Sequence, residues 1–312
     1  MTEKALNTAT DAEHRQGQPA LPGPVLLVGV GGMLARAWTE LLTARGTQVD
    51  LPTMAELDLT NEGSIHQALT ERYRLVVNCA AWTDVDKAET NEAIATKING
   101  AGVGALARRC AQVGAALIHY STDYVFDGSA NDPIPTDAPR DPLNAYGRGK
   151  AIGEGLIAEV SAAHGPAFRY LLVRTSWLYA PWGNNFVRTI ARLVRRGQPL
   201  KVVNDQRGRP TSAEHLARTC LRLHEAGACG TYHVCDGGDC SWYEFACEVA
   251  RHVDQGLKVD PCGSADFPRP ARRPQYSILD LSKTEALLGP MPPWRDNLAQ
   301  VMSRLEALRR HA

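Results

Sequence analysis

The stretch "PVLLVGVGGMLARAWTELL", Pro24 to Leu42, decides the fold. Its four apolar residues Val25–Val28 read as a strand buried on both faces, because no polar residue alternates with them. A glycine turn follows, and from about Met33 the apolar residues recur at helical spacing. Strand, glycine turn and helix in that order open a parallel α/β sheet. The G-x-G-x-x-G pattern fails, because Leu34 holds its sixth position, but G-x-x-G-x-x-A fits with Gly29, Gly32 and Ala35. Gly29 permits the tight turn off the strand. Gly32 lets backbone N–H groups at a helix N-terminus approach a pyrophosphate, with Met33 and Leu34 beside it. Ala35 falls where helix and strand pack closely. Many glycine turns serve geometry alone; the place of this one, after the first strand, points to a dinucleotide.

Outward from that unit the alternation continues. "TQVDLP" (47–52) reads as a short strand, and "NEGSIHQALTER" (61–72) as a helix capped by Asn61. Apolar strands follow at Leu75–Cys79, Ala116–Ser121 and Tyr170–Arg174, with one long helix expected over Glu92–Gln112. The expected fold class is therefore α/β, a doubly wound parallel sheet of Rossmann type. Two interior stretches are loop-rich. "FDGSANDPIPTDAPRDPLN" (126–144) is the expected substrate loop, and "PCGSADFPRPARRPQY" (261–276) is expected to clamp an anionic ligand.

The chain has 312 residues, enough for one large domain or a core domain plus a smaller one. Lys plus Arg and Asp plus Glu number 34 each, so no electrostatic footprint for nucleic acid or an acidic membrane is present. No apolar run reaches the length of a membrane span, and residues 1–22 lack the apolar region of a secretory signal; they read as a disordered tail. Five of the eight cysteines crowd between Cys229 and Cys262, yet their spacing matches no standard zinc pattern. Reduced thiols in a cytoplasmic protein are the expectation, with no metal.

Chemistry collects at two places. Asp50 ends the second strand, where an acid accepts ribose hydroxyls and repels a 2′-phosphate; with no arginine directly after it, the local chemistry leans to NADH, although Arg36 offers a cation for a phosphate. Asp58, in "ELDLT" with Leu59, is set to meet the adenine edge or to cap a helix. The second place is "LNAYGRGKAIGE" (143–154). Tyr146 and Lys150 stand one helical turn apart on one face, with Gly147 and Gly149 between them. Ser121, Thr122 and Asp123 end a strand just before, at the carboxyl edge where parallel-sheet enzymes hold their sites. A hydroxyl there can bond a carbonyl oxygen, and a tyrosine can give that oxygen a proton as hydride adds to carbon. A nearby ammonium is expected to lower the phenol's pKa. For an arbitrary Tyr-x-x-x-Lys a surface pair is the better reading; here three independent features coincide.

At this point the residues resemble a family. "NCAAWTDVDKAE" (78–89), "STDYVFDG" (121–128), "DPLNAYGRGKAIGE" (141–154), "RTSWLY" (174–179), "GNNFV" (183–187), "NDQRGRPT" (204–211) and "PARRPQYSILD" (270–280) run in the order of the dTDP-4-dehydrorhamnose reductase family of extended short-chain dehydrogenase/reductases. The resemblance implies reduction of the C4 ketone of dTDP-4-dehydro-6-deoxy-L-mannose. Tyr146 is then the proton donor, Lys150 its partner on the cofactor, and Thr122 the ligand of the C4 oxygen. Asp123 and Trp177 would meet the sugar; Asn78, Ala80, Ala81, Thr83 and Tyr120 would line the nucleotide. Asn99 is read as structural. Arg272 and Arg273 are the candidate partners of the substrate diphosphate. Ala35 and Gly149 depart from the family pattern, and Trp82 and Trp182 are aromatics beside the site. NADPH is the expected cofactor, with NADH the alternative that Asp50 favours. Relatives that use magnesium lend no ligands that can be placed here.

The implied organisation is a tail (1–22), a Rossmann domain (23–177 and 213–240) and a smaller, mainly C-terminal substrate domain (178–212 and 241–312). The expected partner is a dTDP-sugar, with a second copy of the chain left open. Rival readings remain within and outside the chemistry. A dehydratase is disfavoured, because Thr122-Asp123-Tyr124 lacks a second acid. A 4-epimerase fits the later motifs less well. A reductase of another dTDP-4-keto sugar, of the antibiotic deoxysugar or dihydrostreptose type, is the nearest rival. A non-catalytic regulatory subunit like the methionine adenosyltransferase β subunit is the rival of another class.

Overall fold

A computed structural model describes residues 20–254 and 256–310. The first half runs β1 (Val25–Val28), α1 (Met33–Ala44), β2 (Val49–Asp50), α2 (Glu62–Ala68), β3 (Leu75–Asn78), α3 (Val85–Thr90), α4 (Glu92–Thr96), α5 (Gly102–Val113), β4 (Ala116–Thr122), α6 (Ala145–His164) and β5 (Tyr170–Thr175). The second half runs β6 (Leu178–Tyr179), α7 (Phe186–Arg195), β7 (Leu200–Val203), β8 (Arg207–Gly208), β9 (Thr211–Ser212), α8 (Ala213–Glu225), β10 (Gly230–His233), β11 (Cys240–Ser241), α9 (Trp242–Val253), β12 (Val259–Cys262), α10 (Ser282–Leu288) and α11 (Trp294–Arg310).

Six strands form a parallel sheet in the order β10–β5–β4–β3–β1–β2. The period-2 geometry of β1 explains its unbroken apolar run. Val25 and Leu27 enter a core with α1 and α8, while Leu26 and Val28 enter a second core with α2, α5 and α6. All four are at most 2% exposed. Each such side chain contributes about 1.5–3 kcal/mol by burial, so the strand has no solvent face to offer. The chain builds one way from β1 to β2 and the other way from β1 to β3. That reversal opens a crevice beyond the carboxyl ends of β1 and β3.

The remaining strands pair in twos: β6 with β9, β7 with β12, and β8 with β11. With α7, α9 and α11 they enclose a third core around Tyr179, Phe245, Trp294 and Leu298.

Several expectations need correction. The helix expected over Glu92–Gln112 is interrupted: Lys97–Ala101 widens into a π-turn between α4 and α5. Asn99 in that turn holds Trp82 by both backbone groups, accepting from its N–H and donating to its carbonyl at 2.9 Å each. Helix α3 had no counterpart in the sequence reading; Asp84 caps it by accepting from the Lys87 N–H. Residues 1–19 of the expected tail lie outside the described residues. Leu21 packs on the core, and its N–H donates to Thr47 Oγ1 at 3.0 Å, so order begins before Gly23. Finally, α10 falls in the span assigned to the substrate part but packs on α8 and β10, with Thr284 Oγ1 donating to the His233 carbonyl.

Candidate active site

The Tyr146–Lys150 pair sits in the first turns of α6, whose start is held from three sides. Asn144 is the N-cap: its Oδ1 accepts from the Gly147 N–H at 2.8 Å, and its Nδ2 donates to the Arg272 carbonyl. Glu89, from α3, accepts the Ala145 N–H at 2.8 Å. Gly147 presses on the Tyr124 carbonyl so closely that a Cβ would lie 2.1 Å from its oxygen. The glycine there is the condition for bringing the helix against the end of β4. At Gly149 a Cβ would meet Thr96 at 3.4 Å, an ordinary contact, so this departure from the family pattern is sterically neutral.

Lys150 is buried and donates from Nζ to the Tyr120 carbonyl at 2.9 Å. Burial pulls its pKa down to about 8, against the opposing charges of Glu154 and Cys79. Tyr146 packs edge-on to Tyr124, ring centroids 6.0 Å apart. Burial first, then the charge of Asp123, pushes its phenol up, while the Thr122 hydroxyl opposes. The expected lowering by an ammonium is therefore overturned: desolvation dominates. The phenol is held as an acid with its proton in place.

Thr122 Oγ1 donates to Asp123 Oδ1 at 2.9 Å and accepts from the Tyr124 N–H at 3.1 Å. Turning that hydroxyl away from Asp123 frees a donor for a keto oxygen. Burial raises Asp123 to about 6, against the opposing bond from the Thr122 hydroxyl. The Ser277 hydroxyl donates to the Arg207 carbonyl, and Asp123 Oδ2 has no hydrogen-bond partner. Ser121 Oγ is buried without one as well. Two orphaned oxygens at one end of a cavity fit a ligand rich in hydroxyls.

That cavity, about 660 Å³, runs from the β1 turn to α9. This is the size of a small-molecule site. At one end Gly29, Gly32, Met33 and Leu34 line it. The N-cap Gly32 has no side chain to satisfy the first N–H groups of α1, and no acid lies in the first turn. Uncapped N–H groups at a helix start suit a pyrophosphate. Asp58 and Leu59 line the next portion; both Asp58 oxygens accept from Thr60, so its carboxylate is also a local turn cap. Asn78, Ala80, Ala81 and Thr83 form the floor. Asn78 is internally committed, to the Ala80 N–H and to His119 Nδ1. Tyr120 borders the cavity too, but its hydroxyl accepts from Trp38 Nε1 at 2.7 Å and faces the core. Thr122, Asp123, Tyr146, Lys150 and Trp177 line the far end.

Four predicted residues, Asp50, Arg273, Arg272 and Arg36, are not among those lining it. Asp50 accepts from Arg72, from the Tyr73 hydroxyl at 2.9 Å and from Gln48 at 3.3 Å. Arg273 forms a two-pronged pair with Asp86 of α3, at 2.7 and 2.9 Å, instead of standing free for a diphosphate. Arg272 is exposed, and its carbonyl is the acceptor for Asn144. Arg36 pairs with Glu40. Trp242 is a lining residue that the sequence reading missed. Its only sequence signal is the capping box that starts its helix, with Ser241 and Glu244 each bonded to the other's backbone N–H. Glu89 was missed as well, because its target lies 56 residues away.

Among the described residues no group of three or more His, Cys, Asp or Glu side chains is arranged to hold a metal ion, and no helix is long and apolar enough to cross a membrane.

The family model described as the RmlD substrate binding domain matches residues 23–307. A dTDP-4-dehydrorhamnose reductase of Streptomyces griseus is 40% identical over 283 residues, 88% of this chain and 91% of that protein. A dTDP-4-keto-6-deoxy-D-glucose reductase of Streptomyces niveus is 37% identical, over 90% of this chain and 97% of that one. The crystal structure of dTDP-4-dehydrorhamnose reductase from Bacillus anthracis in complex with NADP superposes with a TM-score of 0.85 at 34% identity, covering 91% of this chain and 100% of that one.

Proposed function

This chain belongs to the RmlD substrate binding domain family, and we propose that it reduces the C4 ketone of dTDP-4-dehydro-6-deoxy-L-mannose to dTDP-L-rhamnose with NADPH. One observation carries the reading: Thr122, Tyr146 and Lys150 border the same cavity as an uncapped glycine turn at the switch point of a parallel sheet. The reductases of Streptomyces griseus and Bacillus anthracis support it, the latter by its bound NADP.

When bound, the reduced nicotinamide cofactor supplies a hydride. The chain's residues do the rest. The N–H groups at the start of α1 take the pyrophosphate, and Asp58 and Leu59 border the adenosine. Lys150 holds the nicotinamide ribose with its ammonium. The Thr122 hydroxyl bonds the C4 oxygen and orients the ketone. Tyr146 gives its proton to that oxygen, leaving a hydroxyl on the sugar and a phenolate on the chain. Such a general acid contributes typically about 10²- to 10⁴-fold. Asp123 Oδ2 and Ser121 Oγ take sugar hydroxyls, and Trp177 covers the ring.

The same reading makes residues 23–177 and 213–240 the nucleotide part, with α10 joined to it, and the remaining C-terminal segments the substrate part. Eight free thiols are in keeping with work in the cytoplasm. A homodimer is compatible with it.

The test is loss of reduced-nicotinamide absorbance with dTDP-4-dehydro-6-deoxyglucose pre-treated with a 3,5-epimerase, run with NADPH and NADH beside Tyr146→Phe. Oxidation that requires both the epimerase and Tyr146 upholds the reading. Oxidation without the epimerase favours the second reading, a reductase of another dTDP-4-keto sugar, which the Streptomyces niveus relative supports. Binding of NADPH without any turnover moves the weight to a regulatory, non-catalytic subunit.

A further inference from the structure

The stretch "PWGNN", Pro181 to Asn185, links β6 to α7 and carries an aromatic that the chemistry above does not use. Trp182 is 6% exposed, and its indole N–H donates to the carbonyl of Met33 at 3.0 Å. Met33 is the first helical residue of α1 and lines the cavity beside Gly32. Two neighbours of Trp182 grip the same residue. Asn185 Nδ2 donates to the Ala180 and Trp182 carbonyls and approaches Met33 Sδ at 3.3 Å. Gly183, at φ +69°, lies so close that a Cβ would sit 2.5 Å from Met33 Cγ.

The indole itself lies against two cations. The guanidinium carbons of Arg36, from α1, and Arg304, from α11, lie 4.3 and 4.6 Å from its ring. Glu40 accepts from both arginines, at 2.9 and 2.6 Å, and Arg304 also donates to Glu214 of α8 at 2.6 Å. Cation–π contacts on a buried ring and charge-assisted bonds hold it in one orientation. The ring is thus anchored to the last helix of the third core, while its N–H fixes one peptide in the nucleotide turn.

We propose that Trp182 is a positioning residue for the dinucleotide: it fixes the first peptide of α1 so that the neighbouring N–H groups point at the pyrophosphate. The substrate part of the chain thereby sets the affinity of the nucleotide part. This rests on the dinucleotide reading of the Gly29–Gly32 turn.

The experiment is NADPH binding by fluorescence titration of the full chain, with steady-state kinetics on the keto sugar, for Trp182→Phe and Arg304→Met. Trp182→Phe keeps an aromatic ring beside the arginines and removes the N–H together with the smaller half of the indole. Its NADPH Kd is expected to rise about three- to tenfold, the fold-change that one neutral hydrogen bond carries. Turnover at saturating NADPH and the sugar KM stay within about twofold, a split that a loss of general stability does not produce. Arg304→Met leaves the N–H but removes one of the two cation contacts on the ring, and its NADPH Kd shifts the same way by less. Unchanged NADPH binding in folded Trp182→Phe overturns the proposal. An equal rise in the sugar KM does so too. Should Trp182→Phe not fold, unchanged binding in Arg304→Met overturns it. Failure of the unaltered chain to bind NADPH at all overturns the dinucleotide reading instead.

Discussion

Trp177 and Trp242 stack face to face, ring centroids 3.7 Å apart and 12° from parallel, at the far end of the cavity. Among the described residues Trp177 is the one non-glycine residue with positive φ, at 49°. Such a backbone costs on the order of 1–3 kcal/mol and persists only where the surroundings over-determine it. Here Trp242 covers one face of the indole, and Gly208 admits its edge; a Cβ at 208 would lie 2.7 Å from Cε2. Gly208→Ala is therefore expected to displace the indole and raise the sugar KM several-fold, leaving the NADPH Kd unchanged. Steady-state kinetics beside a direct NADPH titration check this; equal effects on both ligands would refute it.

The alkaline limit of activity is expected to come from Lys150 rather than from Tyr146. Burial raises the phenol, so it keeps its proton through the neutral and mildly alkaline range, whereas burial lowers the lysine to about 8. The ammonium is lost as pH rises through about 8, so NADPH affinity weakens above that pH and is flat below it. Bound phosphates favour the charged form and move the midpoint upward in the complex. Titrating NADPH at a series of pH values reads the slope. Lys150→Met, with no proton to lose, is expected to bind weakly at every pH without that slope.

Arg72 is expected to bear on coenzyme choice. Asp50 ends β2 behind the cavity, and Arg72 and the Tyr73 hydroxyl take up its carboxylate, whose charge would otherwise repel a 2′-phosphate brought near it. Arg72→Ala uncovers that charge. The ratio of kcat/KM for NADPH over NADH is expected to fall about three- to tenfold, the scale of one charge interaction near a protein surface. Asp50→Asn in the same background restores it. A ratio unmoved by Arg72→Ala would place the discrimination elsewhere.

Arg273 acts as a clamp between the C-terminal strap and α3. Its side chain and that of Asp86 are 19% and 25% exposed, between the surface and buried limits for ion pairs. Arg273→Met is expected to lower unfolding stability by about 1–3 kcal/mol. The pair holds Asp86 below the usual carboxylate range, chiefly through the Arg273 hydrogen bond. A depressed folded pKa contributes stability that is present above the unfolded value and is lost as pH falls through the folded one. The deficit of Arg273→Met is thus full at neutral pH and closes in acid below about pH 4. Denaturant melts at pH 7 and pH 3 test the sign. A large rise in sugar KM without loss of stability would instead return Arg273 to the diphosphate role read from its sequence.

How much was legible beforehand follows from the range of each interaction. Most of the parallel sheet was readable because its strands carry their own apolar runs, as Val25–Val28 and Leu75–Asn78 do, whereas the edge strand β10, Gly-Thr-Tyr-His, carries none and went unread. The Tyr146–Lys150 spacing and the Gly29–Gly32 turn are local too, within one helical turn and one loop. The π-turn at Lys97–Ala101 was not readable: Asn99 answers to Trp82, seventeen residues upstream, and propensity alone continues the helix.

By itself, then, the sequence determined the alternation of the first five strands with helices, a glycine turn after the first strand, and a hydroxyl, phenol and ammonium at strand and helix ends. The tertiary structure alone decided the protonation bias of Tyr146, because desolvation depends on what the folded chain packs around the phenol. It also decided that Asp50 and Arg273 are spoken for, and that Trp182 reaches Met33 across 149 residues. Charge and hydrogen-bond partners are chosen by proximity in space, and no spacing along the chain records that choice.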